Sequence, residues 1–345
     1  MQRLSQYFIY ALGLWFLCSQ SIADNPANGE VATARIVAIT IPNTPWYNDW
    51  QTLGERLAQQ AGQPVKPVFY ILGQLGSEES ALSQLRRGRV QLGGFSLQGA
   101  SSVVPELGLL LAPYLFDSRP QVDHVLDQYL STLIEEKFKQ QGLVFLRWAE
   151  VGWTNFYTRE PIRSPADLQY KKLRSSNALA SQLLIQAIEG NMVPLPFPDI
   201  LPSLQTGLID GGESGAIIYG LSAIPHEAPY LTLTRHAFDT GVMLANKTWF
   251  DNLSHIQRSA LLDSLATTAE MRAGLRTAEQ QVIADATKLG VTVYQPTEDE
   301  LLQWREKTAK NHQLLIDSIG GDASQVYQII NEGKKNYNAL THGAD

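Results

Sequence analysis

The 345-residue chain has a single cysteine, Cys18. One thiol cannot close an internal disulfide, and a lone cysteine offers no paired-thiolate metal site. Cys18 also ends the most apolar stretch of the sequence, Tyr7 to Cys18. Arg3 precedes this stretch, and Ser21-Ile22-Ala23 follow it. A basic start, a short apolar core and a small-x-small triplet make residues 1–23 a signal peptide, with cleavage expected after about Ala23. The run is short for a bilayer span; the competing reading is a retained N-terminal anchor. The bulky Trp15-Phe16-Leu17 in front of Cys18 argue against a lipoprotein. A mature chain without a thiol excludes cysteine catalysis. No later segment is long and apolar enough to cross a membrane, so stable membrane insertion is not expected. A strong charge is missing too. The balance is 34 acidic against 27 basic residues, which argues against nucleic acid or an anionic membrane as partner. The six histidines show no H-E-x-x-H spacing, and there is no G-x-S-x-G elbow and no P-loop. "DGGESG" (210–215) lacks the lysine and the spacing of a nucleotide loop. No internal repeat is present.

What is there alternates. "ARIVAITIP" (34–42) reads as a strand covered on both faces. A helix follows from about Asn48 to Gln60, then a strand over 65–72. A helix capped at Ser77, with acids in its first turn and bases in its last, runs to Gly88. "VQLGGFS" (90–96) is a third strand. This order is the doubly wound α/β signature, which puts ligands beyond the carboxyl ends of strands, here Pro42 to Trp46, Gly73-Gln74 and Gly94 to Ser96. Two long β-rich runs, 143–158 and 230–250, bracket a second α/β unit and form a hinge of paired strands. Ser254-x-x-Gln257 is a capping box. It opens a helical pattern to Gly290, about 35 residues or roughly 50 Å, long enough to brace both lobes. A strand (291–295) and two helices close the chain. The expected division is lobe I, residues 33–147 plus 238–270, and lobe II, residues 148–237 plus 271–340.

"YKKLRSSNALASQLLIQAIEG" (170–190) reads as a strand running into a helix, with Arg174 at the joint. A guanidinium stays charged and offers a rigid fork of donors. Ser175, Ser176 and Asn177 are helix N-cap types, so a fixed cation would lie beside free backbone N–H groups at a positive helix end. That combination fits an anion. Arg174 could equally be structural, paired with Asp199, Asp210 or Glu213.

Four blocks, in this order and spacing, carry a resemblance: "GQLGSEESALSQLRRGRV", "NFYTREPIRSPADLQYKKLRSSN", "VPLPFPDILPSLQTGLIDGGESG" and "YLTLTRHAFDTGVMLANKTWFDNLS". The chain resembles the periplasmic solute-binding proteins of tripartite ATP-independent periplasmic (TRAP) transporters, the dicarboxylate-receptor or DctP-like family. The resemblance implies a two-lobed α/β periplasmic-binding-protein fold, with hinge strands and a long helix bracing both lobes. It implies a periplasmic receptor that binds a small organic carboxylate and delivers it to the TRAP permease membrane subunits. Neither an enzyme nor a cofactor is implied. The same fold could instead serve an envelope sensory subunit; a secreted hydrolase built from scattered residues is the remaining alternative.

Residue by residue, the resemblance puts the carboxylate grip at Arg174 and an aromatic ligand contact at Phe197. Ser214 stands where the family has an asparagine, and Thr154 where many members carry a second arginine. The acid that some relatives place after the third strand is absent at Ser96. Glu213 either orients a neighbouring arginine or helps hold a cation. Trp46, Trp153, Tyr47, Trp148 and Tyr219 are expected near the cleft. With one carboxylate grip and few charged partners, the site favours a monocarboxylate, keto, hydroxy or aromatic acid over a sugar acid.

Overall fold

The computed structural model describes residues 30–342; the signal-peptide segment lies outside them. One mixed sheet of nine strands runs through the molecule. Strands β1 (Ala32–Ala38), β2 (Val65–Ile71) and β3 (Leu92–Ser96) pair in parallel, with β1 in the middle. Helices α1 (Pro45–Gln59) and α2 (Glu78–Arg86) connect them. The first begins behind Thr44, whose hydroxyl accepts from the Tyr47 N–H, and the second behind Ser77 in the same way. Both caps satisfy an amide that the helix itself leaves free.

The two long runs become β4 (Leu143–Thr158) and β8 (Tyr230–Asn246), which are antiparallel neighbours along most of their length. At one end β8 pairs with β3, and at the other β4 pairs with β7 (Gly211–Gly215). Beyond β7 lie β5 (Lys172–Ser175) and β6 (Asn191–Pro194), and β9 (Thr292–Tyr294) joins β8. The hinge strands are therefore the middle of a continuous sheet. Their register shifts between Phe145 and Arg147, Glu150 and Gly152, and Thr154 and Phe156. Such bulges bend and re-aim a strand.

Three expectations change. The helical pattern from Ser254 is two helices: α5 (His255–Ser264) ends at Leu265 with extended backbone, ψ 138°, and α6 (Thr268–Ala286) restarts from a second capping box, Thr267 with Glu270. The brace is therefore α6 alone, 19 residues, roughly 28 Å. It still packs on α1 at one end and on the helix Ala216–Gly220 after β7 at the other. The tail has three helices rather than two: α7 (Glu298–Thr308), α8 (Asn311–Ile319) and α9 (Ala323–His342).

The third change concerns where that tail packs. α7 buries Trp304 among Phe156, Leu173 and Ile185, within the second unit. Leu315, Ala323, Val326 and Ile330 of α8 and α9 instead share the apolar cluster of Leu107, Leu110, Val122 and Leu126. The chain thus returns to the first unit, although the expected division assigned 271–340 wholly to lobe II. The physical reason is an apolar stripe on α9 that matches the face left open by α3 (Arg119–Val125).

Candidate ligand-binding site

A cavity of about 290 Å³ lies where the two units meet on one face of the hinge strands. Thr40, Trp46, Asp49 and Trp50 reach it from the loop after β1 and from α1, Glu78 from α2, and Ser96 from the end of β3. Arg147, Ala149 and Val151 are alternate residues of β4, and Ala237, Asp239 and Gly241 alternate residues of β8; all six face it, as strand periodicity requires. Arg174, Phe197, Glu213 and Ser214 close it from the other side. The carboxyl end of β2, Gly73-Gln74, does not contribute.

Arg174 sits in β5. Its Nε donates to the Leu195 carbonyl at 3.0 Å. Among the described residues it makes no ion pair. The three acids that could have paired with it are otherwise engaged or apart: Asp210 accepts from the Lys172 amide at 2.8 Å, Glu213 meets His236 Nε2 at 2.9 Å, and Asp199 lies on the 3₁₀ turn Phe197–Asp199. Burial pushes the Arg174 pKa below its usual value, with the nearby Tyr157 and Glu213 opposing. A Cβ on Gly212 would stand 3.1 Å from the Arg174 Cβ and 2.5 Å from the Tyr157 hydroxyl, so this glycine lets β7 lie against the arginine. The following helix, α4 (Leu179–Ala187), has Ala178 at its N-cap position and no side-chain cap, so neither Ser175, Ser176 nor Asn177 caps it. Ser176 forms a tight local turn instead, accepting from the Ala178 amide at 3.2 Å.

Most of the other sequence-predicted residues also face the cavity. Thr154, Ser214, Phe197, Trp46 and Ser96 line it. Phe197 is 39 % exposed, a large apolar side chain left uncovered. The Ser214 hydroxyl donates only to the adjacent Gly215 carbonyl, at 3.2 Å. Trp46 is fixed by its indole N–H, which donates to the Glu150 carbonyl at 2.8 Å. Burial would raise the Glu213 carboxyl, but the His236 contact, the Ser181 hydroxyl and the Arg174 charge hold it below the usual range. Glu213 thus bonds a histidine and not the arginine. Among the described residues no three histidine, cysteine or acidic side chains gather as a metal site.

Trp153 is not brought to the cavity. It packs edge-on against Phe238, ring centres 5.0 Å apart, and borders a hollow of about 160 Å³ on the other face of the hinge. Trp148 and Tyr219 are buried in the cores on either side, and Tyr47 is not part of the wall. Neither is an acid missing at the end of β3: Glu78 reaches over from α2 and accepts from the Ser96 amide and hydroxyl, both at 2.6 Å. Burial raises the Glu78 pKa despite these bonds.

Two groups went unread in the sequence. Arg147 is a second cavity arginine, but its Nη2 is bonded to Asp49 in a pair buried on both sides. Burial raises the Asp49 pKa, with the Arg147 charge opposing. Asp239 is the other. Its Oδ1 is enclosed and has no hydrogen-bond partner. Burial, then the charges of Glu78 and Glu213, push its pKa up to about 7, offset in part by the Thr240 amide. A charged residue inside an otherwise apolar strand, "LVFLRWA" or "AFDTGVMLA", was the available signal.

Two α/β units joined by paired crossing strands, with polar groups converging on the cavity between them, are the architecture of a two-lobed solute-binding protein. The chain belongs to the family described as bacterial extracellular solute-binding protein, family 7, whose model matches residues 36–317. It is 26 % identical over 215 residues to the 2,3-diketo-L-gulonate-binding periplasmic protein of Escherichia coli, covering 62 % of this chain and 66 % of that one. It is 25 % identical over 267 residues to the ectoine-binding periplasmic protein of Halomonas elongata, covering 74 % and 77 %. A TRAP periplasmic solute-binding protein from Roseobacter denitrificans, solved with bound β-D-glucuronate, superposes with a TM-score of 0.80 at 24 % identity, covering 86 % of this chain and 98 % of that one. The protein is thus an extracytoplasmic solute-binding receptor of this family. Among the described residues no helix is long and apolar enough to cross a membrane.

Proposed function

We propose that the protein binds a small organic acid through one carboxylate on Arg174 and carries it through the periplasm to a TRAP permease. The observation that supports this reading is the state of Arg174. Its Nε is held by the Leu195 carbonyl, which fixes the plane of the guanidinium and leaves Nη1 and Nη2 to grip a carboxylate in parallel. Trp46 and Phe197, with Ile41 and Ile218, give an apolar wall. Thr154 in place of a second arginine removes one anion grip. These features favour a monocarboxylate, keto, hydroxy or aromatic acid over a sugar acid. Ser214 and Ser96 supply hydroxyls, and Glu213 with His236 backs the arginine. Among the relatives' named ligands, diketogulonate and β-D-glucuronate are sugar acids and ectoine is not; the preference for a less polar acid here rests on the cavity wall alone.

In the same reading the mature chain starts after about Ala23. Lobe I comprises 33–147, 238–270 and the returning helices 311–342; lobe II takes the rest. Ligand closes the lobes as a hinge. The test is a thermal-shift panel of monocarboxylates, dicarboxylates, keto acids and sugar acids on the mature protein. A compound at 100 times its Kd stabilises by about 2.7 kcal/mol. Monocarboxylates are expected to lead; stabilisation by sugar acids or dicarboxylates alone overturns the finer reading.

A further inference from the structure

The charges around the cavity do not balance on a simple anion. Arg147 is neutralised by Asp49. Glu213 has His236 as a partner at 2.9 Å and Arg174 as a neighbouring charge. Glu78 is bonded only by neutral donors, the Ser96 amide and hydroxyl. Asp239 has one enclosed oxygen with no partner at all. So Arg174 is the one cavity arginine without a counter-ion among the described residues, and Glu78 and Asp239 are carboxyls without a cation. A monoanion on Arg174 would cancel that charge and leave the two carboxyls of the same cavity without a cation. A ligand hydroxyl on the Asp239 carboxyl would supply a hydrogen bond but not answer the charge. A cationic nitrogen satisfies both.

We infer that the ligand is a zwitterion, its carboxylate on Arg174 and its cationic nitrogen between Asp239 and Glu78. The inference rests on the assignment of Arg174 above and adds the second half of the ligand. Asp239 comes from β8 on the hinge and Glu78 from the first turn of α2, so a nitrogen held between them would tie the hinge to lobe I while the carboxylate holds lobe II. Asp239 is then a specificity residue, and it is charged only when its proton leaves. Burial keeps that proton on, together with the charges of Glu78 and Glu213; the Thr240 amide opposes them. His236, Arg174 and the Arg147–Asp49 pair also line the cavity. A cationic ligand favours ionised Asp239, so its affinity rises with pH through about 7. A plain anion favours the protonated form, and its affinity falls over the same interval.

The experiment is calorimetric titration of the mature protein with matched pairs: pipecolate against cyclohexanecarboxylate, and proline against cyclopentanecarboxylate. They are backed by a thermal-shift panel of small carboxylates, half of them zwitterionic. The best-binding compound is expected to carry a cationic nitrogen and to bind at least about tenfold more tightly at pH 8 than its nitrogen-free analogue. The ratio should shrink at pH 6, and also in Asp239→Asn and in Glu78→Gln, whichever of the two folds better. The proposal is overturned if the best binders are carboxylates without a cationic nitrogen, if the matched analogues bind equally, or if no zwitterion in the panel binds. Nitrogen-free carboxylates as best binders leave the role of Arg174 standing; binders without any carboxylate remove both.

Discussion

Arg174 and Arg147 face the same cavity and have opposite fates. Arg147 meets the Asp49 carboxylate, and both side chains are buried. Arg174 meets a backbone carbonyl and, among the described residues, no acid. A buried pair of the first kind adds little net stability, because desolvation of both ions offsets their attraction, yet losing one partner is severe. The second kind is an unfinished pair. It keeps desolvation partly unpaid until an anion arrives, and so turns binding energy into affinity. The protein thus spends one arginine on architecture and reserves the other, and only the surroundings distinguish them.

The sharpest way to break this comparison is at Asp49. Asp49→Asn leaves Arg147 buried without a counter-charge and should lower stability by about 3–5 kcal/mol, read from urea unfolding; a loss under about 1 kcal/mol would mean the pair behaves like a surface bridge. Next is Arg174→Lys, which keeps the charge and loses the fork. It should weaken ligand by about 2–5 kcal/mol with unchanged circular dichroism, and binding within about threefold of wild type would refute the two-bond grip. If Arg174 were structural like Arg147, the same variant would unfold more easily instead.

Asp239 offers a third test with a definite sign. Its carboxyl is raised from the ordinary value 3.8 to about 7. A raised acid binds its proton more tightly in the folded state, so wild-type stability falls as pH climbs from about 4 to about 7 on account of this group. Ligand-free Asp239→Asn should therefore melt later than wild type at pH 8, by the equivalent of about 1–4 kcal/mol, and the gap should close toward pH 4. A gap independent of pH would contradict the shifted carboxyl. The smallest effect is expected at Thr154→Arg. A third arginine should leave the affinity for the native ligand unimproved, within about threefold, since the single carboxylate is already engaged; a large gain in titration would show a second anionic group on the ligand.

The paired crossing strands and the parallel first unit were legible because each is written locally, as an apolar run; so was the place of Arg174 on the cavity wall, from a charged residue near a strand–helix joint. What was not legible depends on contacts between distant segments. Glu78 reads as a helix-capping acid, and nothing near it says that its carboxylate closes on Ser96. The tail helices show an apolar stripe but not which lobe it covers. Two misses were avoidable. Thr267-x-x-Glu270 is a capping box in plain view, and it ends the long helix. Trp153 is adjacent to Thr154 in one strand, so if Thr154 faces the cavity its neighbour faces away. β7 was missed because "GGESG" has little strand propensity; its glycines are there to let Tyr157 and Arg174 come close.

The return of α8 and α9 to the first unit has a consequence for synthesis. The lobe that leaves the ribosome first is the last to be completed. β3 waits for β8 some 150 residues later. The Gln121 side chain bonds Asn338, 217 positions away. Contacts this remote are slow to form. A nascent chain stopped anywhere before α9 leaves Val122 and Leu126 without the apolar cover that helix gives them, so the core of the first unit cannot close until the last helix has been made.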